Sequence, residues 1–337
     1  LMDPTSACNL SCTGCWAAQY EKEQNLPYAV LDSICQQGKK MGIYWYLFSG
    51  GEPLIRKKDI IKLCEEHQDC FFLAFTNGTL VDEKFCEEVL RTGNLTLCFS
   101  IEGIEQATDM RRGKGSYQKV IEAMELMKKY RLFFGYSTCY HRYNTESVAS
   151  DEFVDEMLAR GCFYAWNFTY IPIGKNAQTD LIATPEQRAY MYKRVNEIRT
   201  HKPILALDFW NDGELAGGCI AGGRSYFHIN AAGDVEPCAF VHYSNVNIKD
   251  VSLLEALQSP IFKAYQKRQP FNQNQLQPCP LMDNPERIRE IIAESNARST
   301  DIISPEKIEE LCAKTKPAAE KWAPVAKQLW ENRKKIM

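Results

Sequence analysis

Residues 43–79 read IYWYLFSGGEPLIRKKDIIKLCEEHQDCFFLAFTNGT. An apolar run, Ile43–Ser49, ends in two glycines. A charged segment, Lys57–Glu66, follows, with Ile60, Ile61, Leu63 and Cys64 at helical spacing. A second apolar run, Cys70–Thr76, ends in another glycine turn. Continuous apolar runs of this length fit strands buried on both faces, and the amphipathic segment between them is the helix that covers one face. The stretch is therefore one βαβ unit of a parallel sheet.

The same rhythm continues outward. Apolar runs recur at Leu95–Ser100, Phe133–Thr138, Tyr164–Tyr170 and Ile204–Phe209. Helical patterns fill the gaps at Asp82–Arg91, Ser116–Tyr130, Ser147–Arg160 and Pro185–Arg199, and Leu31–Met41 precedes the first strand. Such units cross over right-handed. The expectation is an α/β fold, a partial (β/α)6 TIM-like barrel, with its chemistry at the C-terminal ends of the strands. The rhythm breaks near Leu215. A glycine-rich stretch, Gly217–Gly223, leads into two short strands, Ser225–Asn230 and Val235–Pro237, turning at Ala231–Asp234. Helical segments follow at Leu253–Leu257, Pro260–Arg268, Pro285–Glu294, Ser304–Ala313 and Pro317–Lys335. The division expected is a barrel over 1–212, a hairpin-plus-helices domain over 213–300, and a helical tail over 301–337.

Composition bounds the function. The chain has 337 residues, 45% hydrophobic and 25% charged, with a net charge of −3. These values suit a folded globular protein. No run reaches the roughly 18 apolar residues of a membrane span, and without a basic excess a nucleic-acid partner is a poor expectation. Fourteen cysteines are the outlier. Disulfide scaffolds are usually far smaller, so they read as metal ligands plus buried thiols in a reducing, cytoplasmic setting. The chain opens at Leu1, inside what reads as a strand, so the lack of a visible targeting segment carries no weight.

The sharpest chemical signal is Cys8-Asn9-Leu10-Ser11-Cys12-Thr13-Gly14-Cys15-Trp16. A [4Fe–4S] cluster wants soft thiolates, and three of them leave one iron open to a small molecule. The competing reading is a zinc site with a distant fourth ligand. A second set comprises Cys219 and Cys238, with Gly233 between them, and then Cys279. A hairpin turning at Gly233 would bring Cys219 and Cys238 together. The other cysteines (35, 64, 70, 86, 98, 139, 162 and 312) fall singly in apolar patterns and read as core.

The first motif resembles that of the radical S-adenosylmethionine (SAM) superfamily, C-x3-C-x2-C followed by an aromatic residue. The resemblance implies that Cys8, Cys12 and Cys15 hold a [4Fe–4S] cluster with SAM chelating its open iron, and that Trp16 packs near the adenine. Ser49-Gly50-Gly51-Glu52-Pro53 is similar to the family's GGE element, which implies a bond from Glu52 to the SAM ammonium, with Gly50 and Gly51 letting the backbone come close. Thr76-Asn77-Gly78 matches a TNG element. Ser100 ends the next strand, where a polar group meets the SAM carboxylate in the family. Asn144 and Ile173 are expected to flank the ribose and adenine. Arg111–Tyr117 also occurs in relatives; its G-x-G lacks the third glycine of a dinucleotide fingerprint.

Cys219, Cys238 and Cys279 resemble the start of a SPASM or twitch domain, which holds auxiliary [4Fe–4S] clusters. The later cysteine array of a full SPASM domain is missing, so one auxiliary cluster is expected. Its fourth ligand is left among Cys312, His242, a non-protein group and the substrate. The resemblance implies reductive cleavage of SAM to a 5′-deoxyadenosyl radical, most readily in peptide or protein modification, with a flavodoxin- or ferredoxin-type reductant. A small-molecule or lipid substrate is the first alternative. A non-catalytic iron–sulfur electron carrier is the second, and Glu52 and Trp16 argue against it because a carrier needs no SAM site.

Overall fold

The structure, a computed structural model, describes residues 1–174 and 177–333. Six parallel strands form one sheet in sequential order: β1 (Trp45–Phe48), β2 (Phe71–Thr76), β3 (Leu95–Ser100), β4 (Phe134–Tyr140), β5 (Tyr164–Thr169) and β6 (Leu205–Asp208). Helices alternate with them, and the sheet curls into the partial TIM barrel expected. Side-chain alternation divides the sheet into two faces. Phe48, Phe72, Leu97, Phe99 and Phe134 pack outward under the helices in the main core. Leu73, Cys98 and Tyr164, with Leu47, Phe75 and Trp166 against them, form a separate cluster in the lumen.

Local chemistry sets the helix ends. Asp82 caps the Glu83–Thr92 helix by accepting from Phe85 N, and Gly93 ends it at φ +73°, a conformation that favours glycine. Thr184 and Gln187 form a reciprocal capping box at the start of Pro185–His201. The expected helix Ser147–Arg160 is two helices, Thr145–Val148 and Asp151–Arg160, because Ser150 is itself an N-cap that accepts from Phe153 N. A helix at Glu105–Arg112 has no counterpart in the sequence reading; its mean pattern is too polar to stand out.

The hairpin is present, shortened to β7 (His228–Ile229) and β8 (Val235–Glu236). Its place was not legible in the sequence. Met2 bridges in parallel to both Phe48 and Ile229. Met2 N donates to Leu47 O at 2.9 Å, and Asp3 N donates to Ile229 O at 2.9 Å. The N-terminal segment is thus a strand between β1 and β7, and the hairpin extends the barrel at its β1 edge rather than beside β6. A second small pairing joins β9 (Tyr243–Ser244) to β10 (Arg298–Ser299).

The two tail helices expected at Ser304–Ala313 and Pro317–Lys335 are one helix, Ile308–Asn332, running through Pro317 and Pro324. Lys335 lies outside the described residues. An interior proline removes a backbone bond, but tertiary contacts hold this helix. Leu311 and Cys312 join the main core. Trp322 donates its Nε1–H to Leu276 O at 2.8 Å and lies under the Arg188 guanidinium, 4.4 Å from the ring centroid. Among the described residues, no helix is long and apolar enough to cross a membrane.

Candidate functional site

A cavity of about 650 Å3 opens at the C-terminal ends of the strands and continues down the lumen. Cys8, Cys12, Cys15, Trp16, Gly50, Gly51, Glu52, Asn77 and Ser100 all line it. Two residues expected there do not. Asn144 is buried in a turn, where Oδ1 accepts from His141 N at 2.7 Å and Nδ2 donates to Glu102 O and Cys139 O. Ile173 is buried in the core, and its neighbour Ile171 lines the cavity instead.

The two glycines of the GGE element meet another part of the backbone. A Cβ on Gly51 would lie 2.0 Å from Ala7 O, and one on Gly50, at φ +100°, 2.4 Å from Thr5 O. Gly51 N donates to Thr5 O and Glu52 N to Ala7 O. This close approach seats the segment before Cys8 against the end of β1, which brings the cysteine loop to the mouth of the barrel.

Glu52 is 1% exposed. Oε1 accepts from Thr76 Oγ1 at 2.7 Å and Leu54 N at 3.0 Å; Oε2 accepts from Asn77 N at 2.7 Å. Burial pushes its carboxyl above the usual range, against these three donors. A cation placed beside Oε2 would offset that desolvation. Just past the end of β3, Glu102 is fully buried between Arg111 Nη1 at 2.5 Å and Arg112 Nε at 2.8 Å, and it also accepts from Cys139 N at 2.8 Å. Burial alone would raise the Glu102 carboxyl, but the two guanidiniums outweigh it and hold it below the usual range. The pair of arginines lines the cavity beside the cysteine loop, where Thr13 N donates to Arg111 O.

Trp16 stands edge-on to His228, Phe240 and His242. Behind it lies a buried polar network that the sequence reading missed. His228 Nδ1 is 2.6 Å from Glu236 Oε2, and Nε2 is 3.0 Å from Asp3 Oδ2. Burial would lower the His228 pKa, but Asp3 and Glu236 outweigh it and hold it up at about 9. Tyr20, Asn230 and Thr300 also donate to Glu236. Only distance in the chain hid this network.

Cys219, Cys238 and Cys279 line a smaller chamber of about 190 Å3, which shares Trp166, Phe209 and Phe240 with the main cavity. Donors face the sulfurs. Tyr226 Oη is 2.7 Å from Cys238 Sγ, Tyr265 Oη is 3.6 Å from Cys219 Sγ, and Met282 N donates to Cys279 Sγ at 3.4 Å. Neither named protein candidate for a fourth ligand faces the chamber. Cys312 Sγ donates to Pro285 O, and both His242 ring nitrogens meet acceptors, Asp301 and Ala239 O. Asp208 also lines the chamber, and burial followed by the Asp212 charge pushes it up to about 6.

The donor sets fit clusters better than a single ion. Sulfurs around one zinc, each about 2.3 Å from it, lie within about 4 Å of one another. Among the described residues, neither cysteine set gathers three ligand atoms within 4.8 Å; the group that does is His67, Asp69 and Cys70, at the far end of β2. Cluster cysteines bind separate irons and stand further apart. Cys8, Cys12 and Cys15 could hold one cluster, and Cys219, Cys238 and Cys279 another.

The profile of the radical SAM superfamily matches residues 2–152, and that of the SPASM iron–sulfur cluster-binding domain matches residues 219–281. These domains imply [4Fe–4S] clusters and SAM. The Fe-coproporphyrin III synthase of Methanosarcina barkeri is 26% identical over 55% of this chain and 47% of its own length. The PqqA peptide cyclase of Gluconobacter oxydans is 24% identical over 79% of this chain and 78% of its own. The chain thus spans about half the length of the first of these relatives. The solved structure of anSMEcpe with bound AdoMet and Cp18Cys peptide superposes with a TM-score of 0.62, at 19% identity, over 99% of this chain and 98% of that one. That likeness shows the fold.

Proposed function

The chain is a radical SAM protein with a SPASM domain, and on that premise we propose that it cleaves SAM reductively to a 5′-deoxyadenosyl radical, which takes a hydrogen atom from a carbon of a peptide or protein substrate. The observation that carries this reading is the convergence of Cys8, Cys12, Cys15 and Glu52 on one cavity. In the proposal the three cysteines hold the cluster that SAM completes. Glu52 receives the SAM ammonium on Oε2, because three donors from β2 and its own turn already fix the carboxylate. Asn77 and Ser100 present polar groups at the ends of β2 and β3, where the SAM carboxylate would lie. Trp16 and the rings packed edge-on to it wall the cysteine end of the cavity with apolar surface, which limits water where the radical would form. A peptide substrate is supported by the names of the PqqA peptide cyclase and of the peptide-bound anSMEcpe structure. The electron would come from a flavodoxin- or ferredoxin-type partner, and a reducing cytoplasm suits a chain with this many free thiols.

The test is anaerobic reconstitution with iron and sulfide, then SAM and dithionite. 5′-Deoxyadenosine is the expected product, and its absence would reject the enzyme in favour of an electron carrier. A triple Cys8/Cys12/Cys15→Ala variant should keep roughly half the iron, as expected for one of two clusters, and form no 5′-deoxyadenosine. Loss of all iron would remove the C-terminal cysteines as a cluster site.

A further inference from the structure

The cavity is chemically lopsided. Glu52, Arg111 and Arg112 are the charged side chains that line it among the described residues. All three lie at the cysteine end and are already bonded, Glu52 to Thr76 and Asn77 and the arginines to Glu102. Across the lumen, from β1 through β2 to β5, the lining is aromatic. Phe75 lies 5.2 Å from Trp166 and 5.9 Å from Phe168 between ring centroids, and Trp166 lies 6.4 Å from Trp45. Trp45 itself is 52% exposed, so the apolar lumen runs out to the surface at its floor.

The strand register explains why there is room. Lumen-facing positions in a closed eight-stranded barrel fill its interior. Here six strands curl without closing, and β4 contributes Gly135 to the lumen, where a Cβ would meet the Tyr164 ring at 2.4 Å. Tyr164 folds across that glycine, its Oη donating to Leu97 O at 2.9 Å, and Phe75, Trp166 and Phe168, packed against one another, line the cavity.

We propose that this lumen is the specificity pocket for the substrate, and that it takes an uncharged, bulky apolar group, an aromatic or branched aliphatic side chain, rather than a carboxylate or ammonium. The inference rests on the reading above for the position of SAM at the Glu52 end. An ionised group in the lumen would lose its hydration with no counter-charge to replace it. An aromatic group would gain burial and edge-to-face contacts with three rings.

Binding tests this independently of SAM chemistry. Equilibrium dialysis of the reconstituted protein with SAM and no reductant would compare three N-acetylated, C-amidated tripeptides, Gly-Phe-Gly, Gly-Glu-Gly and Gly-Lys-Gly. The Phe probe should bind at least about tenfold more tightly than either charged probe. Trp166→Glu should abolish that preference and favour the Lys probe. Equal binding of the three, or preference for a charged one, overturns the proposal. A preference for Phe that survives Trp166→Glu in a variant of normal iron content overturns the location. Adding dithionite to the same mixtures keeps the two readings apart. Absence of 5′-deoxyadenosine rejects the radical chemistry, while the binding ratios still decide the pocket.

Discussion

The Trp16 indole stands edge-on to the His228 imidazole, their centroids 5.6 Å apart at an interplanar angle of 81°. One residue belongs to the cysteine loop and the other to the hairpin. The contact joins the candidate SAM site to the domain that carries the second cysteine set, and it rests on a histidine held between two carboxylates.

That histidine makes stability depend on pH. Its folded pKa of about 9 lies above the ordinary 6.5. The stabilisation from its ion pairs with Asp3 and Glu236 is therefore complete below about pH 6.5 and is lost as pH rises through 9. Trp16 packs against the ring and the His242 charge acts on it from nearby, but the two carboxylates dominate. Thermal unfolding should show Tm falling between pH 6.5 and 9.5 in the wild type. His228→Gln should start lower and show a flatter profile; an equal slope in both would remove His228 as the cause.

Glu52→Gln should weaken SAM binding more than it disturbs the cluster. A charge-assisted bond contributes about 1.5–3 kcal/mol, or roughly a 10- to 150-fold loss of affinity. Calorimetric titration of SAM into the reconstituted variant reads this, with iron content as the control. Unchanged affinity would take Glu52 out of the site.

Glu102 is expected to matter for folding rather than for a step in the reaction. Its removal leaves Arg111, 8% exposed, without its carboxylate. Breaking one side of a buried pair costs about 3–5 kcal/mol. Glu102→Leu should lower the free energy of unfolding in urea by that amount, and a change under about 1 kcal/mol would show the pair to be effectively solvated.

Tyr226→Phe should act on the auxiliary cluster alone. The Tyr226 hydroxyl, 2.7 Å from Cys238 Sγ, would donate to a ligating thiolate and stabilise the reduced cluster. Its removal should shift that cluster's midpoint potential negative while the cluster at Cys8, Cys12 and Cys15 keeps its potential. Redox titration followed by EPR of the triple Cys8/Cys12/Cys15→Ala protein isolates the relevant signal. An unchanged potential would show that the Tyr226 hydroxyl bonds no cluster ligand.

Much of this was legible locally. The strand positions from Ile43 to Phe209, and the helices between them apart from Glu105–Arg112 and the break at Ser150, followed from apolar runs and helical spacing, because parallel strands buried on both faces write their burial directly into the chain. The cysteine spacing at 8–15 and the Gly50-Gly51-Glu52 turn were equally plain, since a cluster loop and a tight turn are made by neighbours in sequence. The continuous helix through Pro317 and Pro324 was not, because Trp322 and Arg188 hold it from outside.

The sequence by itself determined the repeating βα units, the two cysteine sets and the polar groups at the strand ends. Only the tertiary structure decided what depends on distant contacts. It placed Met2 between β1 and β7, and so set the hairpin at the β1 edge. It spent Asn144 on a turn and took Cys312 and His242 away from the auxiliary chamber. It gathered Asp3, His228 and Glu236 into one buried network. Backbone bonds between residues as far apart in the chain as Asp3 and Ile229, and charges that pair only once water has been excluded, leave no periodic trace in a sequence, because their cost and gain arise only when the fold packs around them.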